Sequence, residues 1–433
     1  MPFQALGISP ELARAAADLG FHEPTPVQVA AIPAILGGKD VIGSAQTGSG
    51  KTAAYALPLL QSLGQPGADS KRRVQALVLV PTRELAAQVG EVLRSLGRHL
   101  PQAPRVAVLV GGVSVNPQMM GLRGGADVVV ATPGRLIDIV GHNALKLGWV
   151  RTLVLDEADR LLDLGFADEL QRVLGLLQPQ RQNLFFSATF PPEVEALAAG
   201  LLREPVRIEV PDSTTHQPPI TQRVIQVDEK RRTELLRKLI KDEGWTRALV
   251  FVATKYAAEH VAWKLHKAGI FATPFHGDLS QGARKQVLAD FKEGGWDVVV
   301  TTDLAARGID IAQLPVVVNY DLPRSAVDYQ HRIGRTGRAG ASGLAVSFVS
   351  AGAEAHMRLV EARQHLSLSR EQIAGFEPTE AAPAPALGPG TGGVKGRRPS
   401  KKDKLRAAAA ADDVVSPQGV PASTAPTGKA RKD

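Results

Sequence analysis

Short runs of apolar residues, separated by stretches with helical spacing, recur along most of the chain. In the first half they lie at residues 40–45, 76–80, 106–110, 127–131, 152–156 and 183–187. These runs are β-branched and continuous, which is typical of strands buried on both faces of a parallel sheet. The stretches between them, such as ELAAQVGEVLRSLGRHL (84–100), place apolar residues at helical spacing. The alternation predicts a doubly wound α/β domain.

A stretch rich in Pro, Ser and Thr, VPDSTTHQPPITQ (210–222), interrupts this pattern and predicts a linker. The alternation then returns, with apolar runs at 223–227, 247–252, 297–301, 316–320 and 343–349. From about residue 377 the chain is rich in Ala, Pro, Gly and Lys and has too few apolar residues to form a core. We therefore predict a first domain over 1–210, a linker over 211–221, a second domain over 222–377 and a disordered basic tail over 378–433.

Composition narrows the class of protein. No stretch has the eighteen or so continuous apolar residues of a membrane span, and the start lacks the pattern of a secretory signal. The chain has no cysteine, which excludes disulfides and thiolate–metal sites and predicts a cytoplasmic protein. The 51 Lys and Arg residues exceed the 43 Asp and Glu residues, giving a net charge of +8. Much of the excess lies in the tail, so composition alone favours equally a nucleic-acid partner and a solubilising tail.

The motif AQTGSGKT (45–52) follows a predicted strand and opens a predicted helix, which is the context of a phosphate-binding loop. Gly48 and Gly50 allow backbone N–H groups to approach phosphate oxygens, Lys51 supplies a charge, and the Thr52 hydroxyl can bind Mg²⁺. A turn without a ligand would not require Lys-Thr here, although Ala45 replaces the usual first glycine. The predicted nucleotide-binding segment comprises Ala45, Gln46, Thr47, Gly48, Ser49, Gly50, Lys51 and Thr52.

Three carboxylates within four residues, Asp156, Glu157 and Asp159, follow the apolar run that ends at residue 155. Like charges at the end of a buried strand repel each other and resist desolvation, so they need a compensating cation. Ligands of doubly wound sheets bind at this edge, where a Mg²⁺–nucleotide would compensate them. Asp156 would then hold the metal and Glu157 would orient or deprotonate the attacking water. An acidic N-cap of the next helix is the alternative.

The segment HRIGRTGRAG (331–340) carries Arg332, Arg335 and Arg338 at three-residue spacing. A basic helix face would not need the interleaved glycines, which lower helix propensity. Arginines on a short glycine-interrupted turn are typical of side chains that reach a phosphate across an interface.

Taken together, these motifs resemble the DEAD-box family of ATP-dependent RNA helicases. The resemblance runs in family order from about Phe3 to Phe348. Besides the three segments above it includes GFHEPTPVQ (20–28), PTRELA (81–86), GG (111–112), TPGR (132–135), SAT (187–189), LVFVATK (249–255), HGDLSQGAR (276–284) and TTDLAARGID (301–310). The resemblance implies two tandem RecA-like parallel-sheet domains, with ATP and Mg²⁺ as cofactors.

The resemblance also implies roles around the nucleotide. Gln28 would read the adenine edge in a pocket with Phe21, and Asp310 would bind the ribose. Catalysis would rest on Lys51, Asp156, Glu157, Arg335 and Arg338. Coupling between nucleotide and nucleic acid would rest on Ser187, Thr189, Asp159 and His331. Ordinary capping of a strand end is the alternative for Ser187 and Thr189.

RNA contacts are implied at Thr82, Arg83, Gly112, Thr132, Gly134, Arg135, Gly277, Arg284 and Thr302. Small, hydroxyl and arginine residues suit contacts with phosphates and 2′-hydroxyls, without reading of bases. Taken singly, PTREL and TPGR also fit a helix start with proline in its first turn, and that alternative stays open.

The function implied is that of an ATP-driven clamp that closes on RNA and locally opens short duplexes or remodels RNA–protein complexes. An ATP-gated RNA clamp or scaffold with little strand separation, and a motor that acts on DNA, are the alternatives. The short N-terminal segment and basic C-terminal segment are similar to bacterial RhlE-type members, which implies partners in ribosome assembly or RNA decay.

Overall fold

The computed structural model describes residues 2–44, 49–63, 72–209, 220–306, 314–337 and 342–380 of the 433-residue chain. Within these ranges fourteen strands form two separate sheets of seven. The first sheet contains β1 (Val41–Ser44), β2 (Ala76–Leu79), β3 (Val106–Leu109), β4 (Val128–Ala131), β5 (Thr152–Leu155), β6 (Gln182–Ser187) and β7 (Val206–Glu209). The second contains β8 (Ile220–Gln226), β9 (Ala248–Phe251), β10 (Ala272–Phe275), β11 (Val298–Thr301), β12 (Val316–Asn319), β13 (Gly343–Val349) and β14 (Arg370–Glu371).

Helices lie between the strands, as the alternation predicts. In the first half they are α1 (Pro10–Asp18), α2 (Pro26–Leu36), α3 (Lys51–Ser62), α4 (Arg83–Gly97), α5 (Val115–Gly121), α6 (Pro133–Gly141), α7 (Ala158–Asp163), α8 (Ala167–Gly175) and α9 (Pro192–Leu201). In the second half they are α10 (Arg232–Asp242), α11 (Lys255–Lys267), α12 (Gln281–Lys292), α13 (Asp303–Ala306), α14 (Ala326–Ile333) and α15 (Glu354–Gln364). Short 3₁₀ helices occupy Phe3–Leu6, Glu229–Arg231 and Ala351–Ala353.

The two sheets have the same strand order. The first runs β3-β4-β2-β5-β6-β1-β7 and the second runs β10-β11-β9-β12-β13-β8-β14. Counted from the first strand of each sheet, both orders are 3-4-2-5-6-1-7, and all the pairings are parallel. The predicted fold class, two tandem doubly wound parallel-sheet domains, is therefore confirmed.

Both faces of each sheet are covered, which explains the continuous apolar runs. On β2, Val78 belongs to one apolar cluster of the first domain, while Leu77 and Leu79 belong to another. On β9 of the second domain, Val250 and Leu249 divide in the same way between two clusters. Since successive side chains of a strand point to opposite faces, a strand covered on both sides needs apolar residues at every position.

Three strands escape the sequence prediction, and each lies at or near an edge. β7 pairs only with β1 and is mostly exposed, so it lacks a continuous apolar run. β10 contains Pro274, which an edge strand tolerates because one of its sides has no hydrogen-bonding neighbour. β14 has only two residues.

The described part of the chain continues past the predicted end of the second domain. The backbone N–H groups of Thr379 and Glu380 donate to the Asp228 carboxylate at 3.0–3.1 Å. Most of the predicted linker and the predicted tail from 381 onward lie outside the described residues. None of the described helices is both long and apolar enough to cross a bilayer.

Candidate active site

The glycine-rich motif joins β1 to α3, as the sequence predicts. Ala45, Gln46, Thr47 and Gly48 lie outside the described residues. Gly50 precedes α3 with φ at +92°, in the left-handed region that favours glycine. A Cβ there would lie 2.5 Å from Gln28 Nε2. The loop therefore needs glycine at residue 50 both for its backbone conformation and for the close approach of Gln28.

Gln28, predicted to read adenine, is buried with 1% of its surface exposed. Its Nε2 donates to the Gly50 carbonyl at 3.1 Å, and its Oε1 accepts from the Thr25 N–H at 2.9 Å. A side-chain amide has two donor hydrogens and two acceptor lone pairs, so one of each remains beyond these bonds. Gln28 thus ties α2 to the phosphate loop, and its adenine contact stays a prediction. Phe21 is half-buried beside the core cluster that contains the buried Phe3.

The predicted carboxylates follow β5 at the carboxyl edge of the first sheet. Asp156 is 3% exposed. Its Oδ2 accepts a hydrogen bond from the Tyr55 hydroxyl at 2.8 Å, and its Oδ1 accepts one from the Glu157 N–H at 2.9 Å. Tyr55 lies four residues after Lys51 on α3, hence on the same helix face. The helix that begins at the phosphate loop therefore also orients Asp156.

Glu157 has an unusual backbone conformation, with φ at +52° and ψ at 53°. A non-glycine residue in this region costs about 1–3 kcal/mol and persists only where its surroundings hold it. The Glu157 carbonyl accepts hydrogen bonds from the N–H groups of Arg160 at 2.9 Å and Leu161 at 3.0 Å. These bonds begin α7 and hold Glu157 at the sharp turn after the strand.

The electrostatics of the two carboxyls follow from their burial. Burial raises the pKa of Asp156, and the nearby Lys51 ammonium opposes that rise. Burial and the neighbouring Asp156 carboxylate raise the pKa of Glu157, whereas the charges of Lys51 and Arg335 lower it. Burial and Asp156 also raise the pKa of Tyr55, which keeps its hydroxyl a hydrogen-bond donor. The site therefore has an excess of negative charge that a bound cation would relieve.

The third carboxylate, Asp159, contacts the predicted coupling residues. Its N–H donates to Ser187 Oγ at 3.2 Å, and its Oδ2 accepts from the Thr189 hydroxyl at 2.8 Å and the Thr189 N–H at 3.2 Å. Ser187 Oγ in turn donates to the Thr189 carbonyl at 2.8 Å. The structure thus brings Asp159, Ser187 and Thr189 into one network across the ends of β5 and β6. Their role in coupling stays a prediction.

The arginines of the second domain divide into two kinds. Arg332 is 3% exposed and donates to both Asp303 carboxylate oxygens, at 2.5 and 2.7 Å, and to Asn319 Oδ1 at 3.0 Å. It is therefore structural within its own domain. Arg335 follows the end of α14, and its charge acts on Glu157 of the first domain. Arg338 and Asp310 lie outside the described residues.

Among the described residues, two ion pairs join the domains. Arg160 Nη1 donates to Asp328 Oδ1 of α14 at 3.2 Å, beside a small pocket that His331 and Arg335 also line. Arg284 Nε donates to Glu84 Oε1 of α4 at 2.8 Å, and the two side chains are only 7% and 10% exposed. The domains therefore contact each other both near the carboxylates and at the start of α4.

Arg284 was predicted to contact RNA. Besides Glu84, its guanidinium donates to the His276 carbonyl at 3.0 Å and to the Ala305 carbonyl at 3.4 Å. The structure thus adds a domain-joining role to this residue, and its RNA contact stays a prediction.

A cleft between the domains collects most of the predicted RNA-contacting residues. Its lining includes Thr82, Arg83, Gly112, Thr132, Gly134 and Arg135 from the first domain and Gly277 and Arg284 from the second. Lys255, Asp278 and Leu304 also line it. Thr302 lies outside the lining and precedes α13. Thr82 and Thr132 are also the N-caps of α4 and α6, and Pro133 is the first residue of α6. TPGR therefore begins a helix with proline in its first turn, whereas in PTREL Pro81 precedes the N-cap and lies outside α4. Residues of both motifs line the cleft.

Two arginines of the cleft have distinctive surroundings. Arg135 donates through Nη2 to the Val113 carbonyl at 2.8 Å, whereas its buried Nε and Nη1 have no hydrogen-bond partner among the described residues. The Asp138 carboxylate lies 3.6 Å from Nε. The Arg83 guanidinium packs on Gly112, where an added Cβ would lie 2.0–2.1 Å from it. The cleft therefore offers buried cationic donors of the kind that bind phosphate.

Sequence reasoning missed Tyr55, Glu84, Arg160 and Asp328. Tyr55 could have been found, since its position one turn after Lys51 places it on the phosphate-facing side of α3. The interdomain partners carry no local signal, because their sequence separations are 200 residues for Glu84 and Arg284 and 168 residues for Arg160 and Asp328.

Comparison with known proteins agrees with this geometry. The sequence profile of the DEAD/DEAH box helicases matches residues 25–197, and that of the helicase conserved C-terminal domain matches residues 231–340. The DEAD-box ATP-dependent RNA helicase CshA of Bacillus cereus is 40% identical over 359 residues, which are 83% of this chain and 67% of that protein. The ATP-dependent RNA helicase DeaD of Mycobacterium tuberculosis is 42% identical over 376 residues, which are 87% of this chain and 65% of that protein.

Solved structures show the same two-domain arrangement. Dbp5 of S. cerevisiae bound to RNA and ADP BeF3 is 31% identical, with a TM-score of 0.75, over 86% of this chain and 95% of that chain. Mss116p bound to ssRNA and AMP-PNP is 29% identical, with a TM-score of 0.76, over 86% of this chain and 78% of that chain.

Proposed function

Because this chain belongs to the DEAD-box family of ATP-dependent RNA helicases, we propose that it hydrolyses ATP to ADP and phosphate while clamping RNA between its two domains, and that this cycle opens short duplexes or remodels RNA–protein complexes. One observation carries the proposal. The two domains meet both beside the carboxylates, through Arg160 and Asp328, and along the cleft, through Arg284 and Glu84. Closure that assembles the hydrolytic site therefore also assembles the RNA cleft.

The residues at the phosphate loop fit a nucleotide. Among the described residues, the buried hydroxyl of Ser49 has no hydrogen-bond partner, as expected of a polar atom that serves a ligand. Lys51 is 6% exposed, and α3 begins there, so a cation and a helix N-terminus meet where phosphates would bind. Gln28 would contact the adenine beside Phe21, and Asp310 would bind the ribose.

Thr52 and Asp156 would hold Mg²⁺. Mg²⁺ usually takes one or two carboxylate or hydroxyl ligands from the protein and its remaining ligands from nucleotide phosphates and water. When bound, Mg²⁺ would neutralise charge on the phosphate oxygens. Because burial raises the pKa of both carboxyls, a cation there also relieves an existing cost.

For hydrolysis, Glu157 would accept a proton from the attacking water while Arg335 and Arg338 stabilise negative charge on the transferred phosphoryl group. The fixed backbone at Glu157 sets where its carboxylate can act. Arg335 reaches the site only from the second domain. An open clamp would therefore bind ATP without hydrolysing it.

RNA would bind the cleft through its backbone. The Nε and Nη1 of Arg135, the Arg83 guanidinium and the Thr132 hydroxyl offer donors to phosphates and 2′-hydroxyls. The network of Asp159, Ser187 and Thr189 would couple this cleft to the nucleotide site, because Asp159 lies only two residues from Glu157. His331 lines the interdomain pocket with Arg335 and would sense the same closure.

A strand-displacement assay tests the proposal, using a short RNA duplex with a single-stranded overhang and ATP as the only energy source. Displacement together with RNA-stimulated ATP hydrolysis is expected. Stimulation without displacement would favour an ATP-gated clamp or scaffold. Equal stimulation by single-stranded DNA would contradict RNA as the substrate. The RhlE-type assignment and partners in ribosome assembly or RNA decay stay predictions.

Gly112→Ala is expected to weaken RNA binding by roughly three- to tenfold. The slope of log affinity against log salt concentration should fall by about one unit, which corresponds to the loss of one phosphate contact. The added Cβ would displace the Arg83 guanidinium, and φ at +70° is strained for alanine. Fluorescence anisotropy with a labelled RNA at several salt concentrations measures both effects. Gly141→Ala is the matched control, since nothing lies within 4 Å of its added Cβ and it lies outside the cleft lining. Equal affinity of the two variants would remove Arg83 from the RNA contacts.

Glu84→Gln is expected to raise the RNA concentration needed for half-maximal ATP hydrolysis by at least about tenfold, because it leaves the buried Arg284 charge without its carboxylate. Steady-state ATPase titrations with RNA measure this. Glu91→Gln on the same helix is the control, since its side chain is 62% exposed. If Glu84→Gln behaved as the control does, the ion pair would not contribute to closure.

A further inference from the structure

The second domain carries a row of aromatic rings that none of the motifs explains. Tyr256, His260 and Trp263 lie on α11 at spacings of four and three residues, which places them on one face of the helix. The ring centroids of Tyr256 and His260 are 5.8 Å apart with an interplanar angle of 11°. Those of His260 and Trp263 are 6.3 Å apart at 20°. Lys267 Nζ lies 3.9 Å from the Trp263 ring centroid. We call these four residues the aromatic stripe.

The stripe faces outward. Tyr256 is 77% exposed and Trp263 is 53% exposed, whereas Ala258, Val261 and Leu265 on the opposite face are buried in the core. Exposed large aromatics are costly to leave in water, and a row of two such rings on one helix face marks an interaction surface. Since the core takes the other face of α11, stability of the fold does not account for these rings.

The stripe begins one residue after the point where α11 contributes to the predicted RNA cleft. Lys255, the first residue of α11, lines the cleft, and Tyr256 is the next residue. At a rise of about 1.5 Å per residue, the helix carries the stripe roughly 16 Å away from the cleft, from Tyr256 to Lys267. A strand that leaves the cleft at Lys255 would reach Tyr256 by turning about 100° around the helix axis.

The positive charge of α11 favours an anionic ligand. α11 carries Lys255, Lys264 and Lys267 against a single acidic residue, Glu259. Lys255 pairs with the Asp278 carboxylate and Glu259 contacts His276 at 2.7 Å, so Lys264 and Lys267 supply the positive charge along the stripe. Aromatic rings interleaved with lysines are the surface on which single-stranded nucleic acid binds, because bases stack on the rings and the ammonium groups attract phosphates. Stacking accepts any base, which suits a clamp that grips the RNA backbone without reading sequence.

We propose that the aromatic stripe is a second RNA-binding site, which takes the single-stranded RNA that leaves the cleft and stacks its bases on Tyr256 and Trp263. The inference rests on the proposed RNA-binding function and extends it. The stripe would lengthen the grip on single-stranded RNA beyond the cleft, and so favour substrates in which a single-stranded segment adjoins the duplex.

The test compares the affinities of the full chain for two labelled oligouridylates of about 6 and about 16 nucleotides, which span the usual site sizes of single-strand binders. A non-hydrolysable ATP analogue is present in both titrations. The double substitution Tyr256→Ala with Trp263→Ala is expected to weaken binding of the longer strand by about ten- to a hundredfold and to leave the shorter strand unchanged. The longer strand has more binding registers in every variant, so the ratio of wild type to variant is the readout.

Two matched variants accompany the test. Trp263→Phe keeps a stackable ring and is expected to retain most of the affinity for the longer strand. Trp149→Ala removes a first-domain tryptophan that is 49% exposed and lies 4.0 Å under the Arg73 guanidinium, and it should change neither affinity. Quenching of Trp263 fluorescence by the longer strand alone, judged against Trp263→Phe, is a second expected result.

Three results would overturn the proposal. Unchanged affinity of the double variant for the longer strand would assign the stripe to a protein partner instead. An equal loss for both strands would mean that the rings act through the cleft or the fold. If Trp149→Ala weakened binding of the longer strand as much as the double substitution does, the loss could not be assigned to the stripe. Failure of the wild type to bind either RNA would instead refute the proposed function itself, which keeps the two failures distinct.

Discussion

Replacing Arg335 with alanine is expected to lower RNA-stimulated ATP turnover by about 10³- to 10⁵-fold, while ATP still binds. The phosphate loop and the carboxylates belong to the first domain, so we expect ATP to bind without Arg335. Transition-state charge on the phosphoryl group, however, would lose its cationic partner from across the interface. Single-turnover hydrolysis and equilibrium nucleotide binding, measured on the same variant, separate the two effects.

Two control variants show whether the loss of turnover in Arg335→Ala is specific to the guanidinium at this position. Arg335→Lys keeps the charge but not the planar fork of donors, so its turnover should fall between those of wild type and alanine variant. Arg358→Ala removes an exposed arginine of the same domain, with a side chain 75% exposed, and should have no effect. Near-normal turnover in Arg335→Ala would show that Arg338 alone can supply the transition-state charge.

Glu157→Gln is expected to lower ATP turnover by about 10²- to 10⁴-fold while ATP and RNA binding persist, because glutamine cannot accept the proton of the attacking water. Hydrolysis under saturating RNA and ATP measures the loss, and RNA affinity with ATP present measures the binding. Glu193→Gln, an exposed glutamate near the start of α9, is the matched control. Turnover close to that of wild type would exclude Glu157 as the base.

The same substitution should also stabilise the ligand-free protein. Since burial raises the pKa of Glu157 in the folded state, folding favours the protonated carboxyl, and stability falls as the pH rises through that pKa. Glutamine removes this cost. We expect the apparent Tm of Glu157→Gln at neutral pH to exceed that of wild type by about 1–4 °C, with the difference vanishing in acid. Thermal unfolding at several pH values measures it, and equal Tm values at neutral pH would contradict the raised pKa.

The pH profile of turnover depends on both residues. A base must be deprotonated, so a raised pKa of Glu157 places the acidic limb of the turnover profile above the pH expected for an ordinary glutamate. The charge of Arg335 lowers that pKa. The acidic limb should therefore move to higher pH in Arg335→Ala and stay close to that of wild type in Arg335→Lys. Identical limbs in both variants would mean that Arg335 does not act on Glu157.

The sequence predicts the fold well, because strands covered on both faces carry continuous apolar runs. β2, β5 and β9 were predicted to within a residue or two at each end for this reason. β7 and β14 could not be predicted in this way, since an edge strand needs few apolar residues and a two-residue strand has no periodicity. β10 could not be predicted either, because its Pro274 argues against a strand in a sequence pattern.

The candidate site was predictable where its residues adjoin in sequence. Lys51, Asp156 and Glu157 mark strand ends that a parallel sheet must bring to one edge. The Glu84–Arg284 pair could not be predicted, because it depends on how two domains meet and not on any local pattern. Arg332 and Arg335 show the same limit, since three-residue spacing does not reveal that one points into its own domain.

The identical strand order of the two sheets bears on how many nucleotides the protein can hold. By position in the sheet, β12 and β13 of the second domain correspond to β5 and β6 of the first. At their carboxyl ends Asn319 donates to Ser347 Oγ at 3.0 Å, and the Arg332 guanidinium bonds to Asn319 and Asp303. The Arg332 guanidinium thus lies at the carboxyl edge of the second sheet, where a doubly wound sheet would bind a ligand. We therefore expect the first domain alone to bind ATP, with a stoichiometry of one ATP per chain.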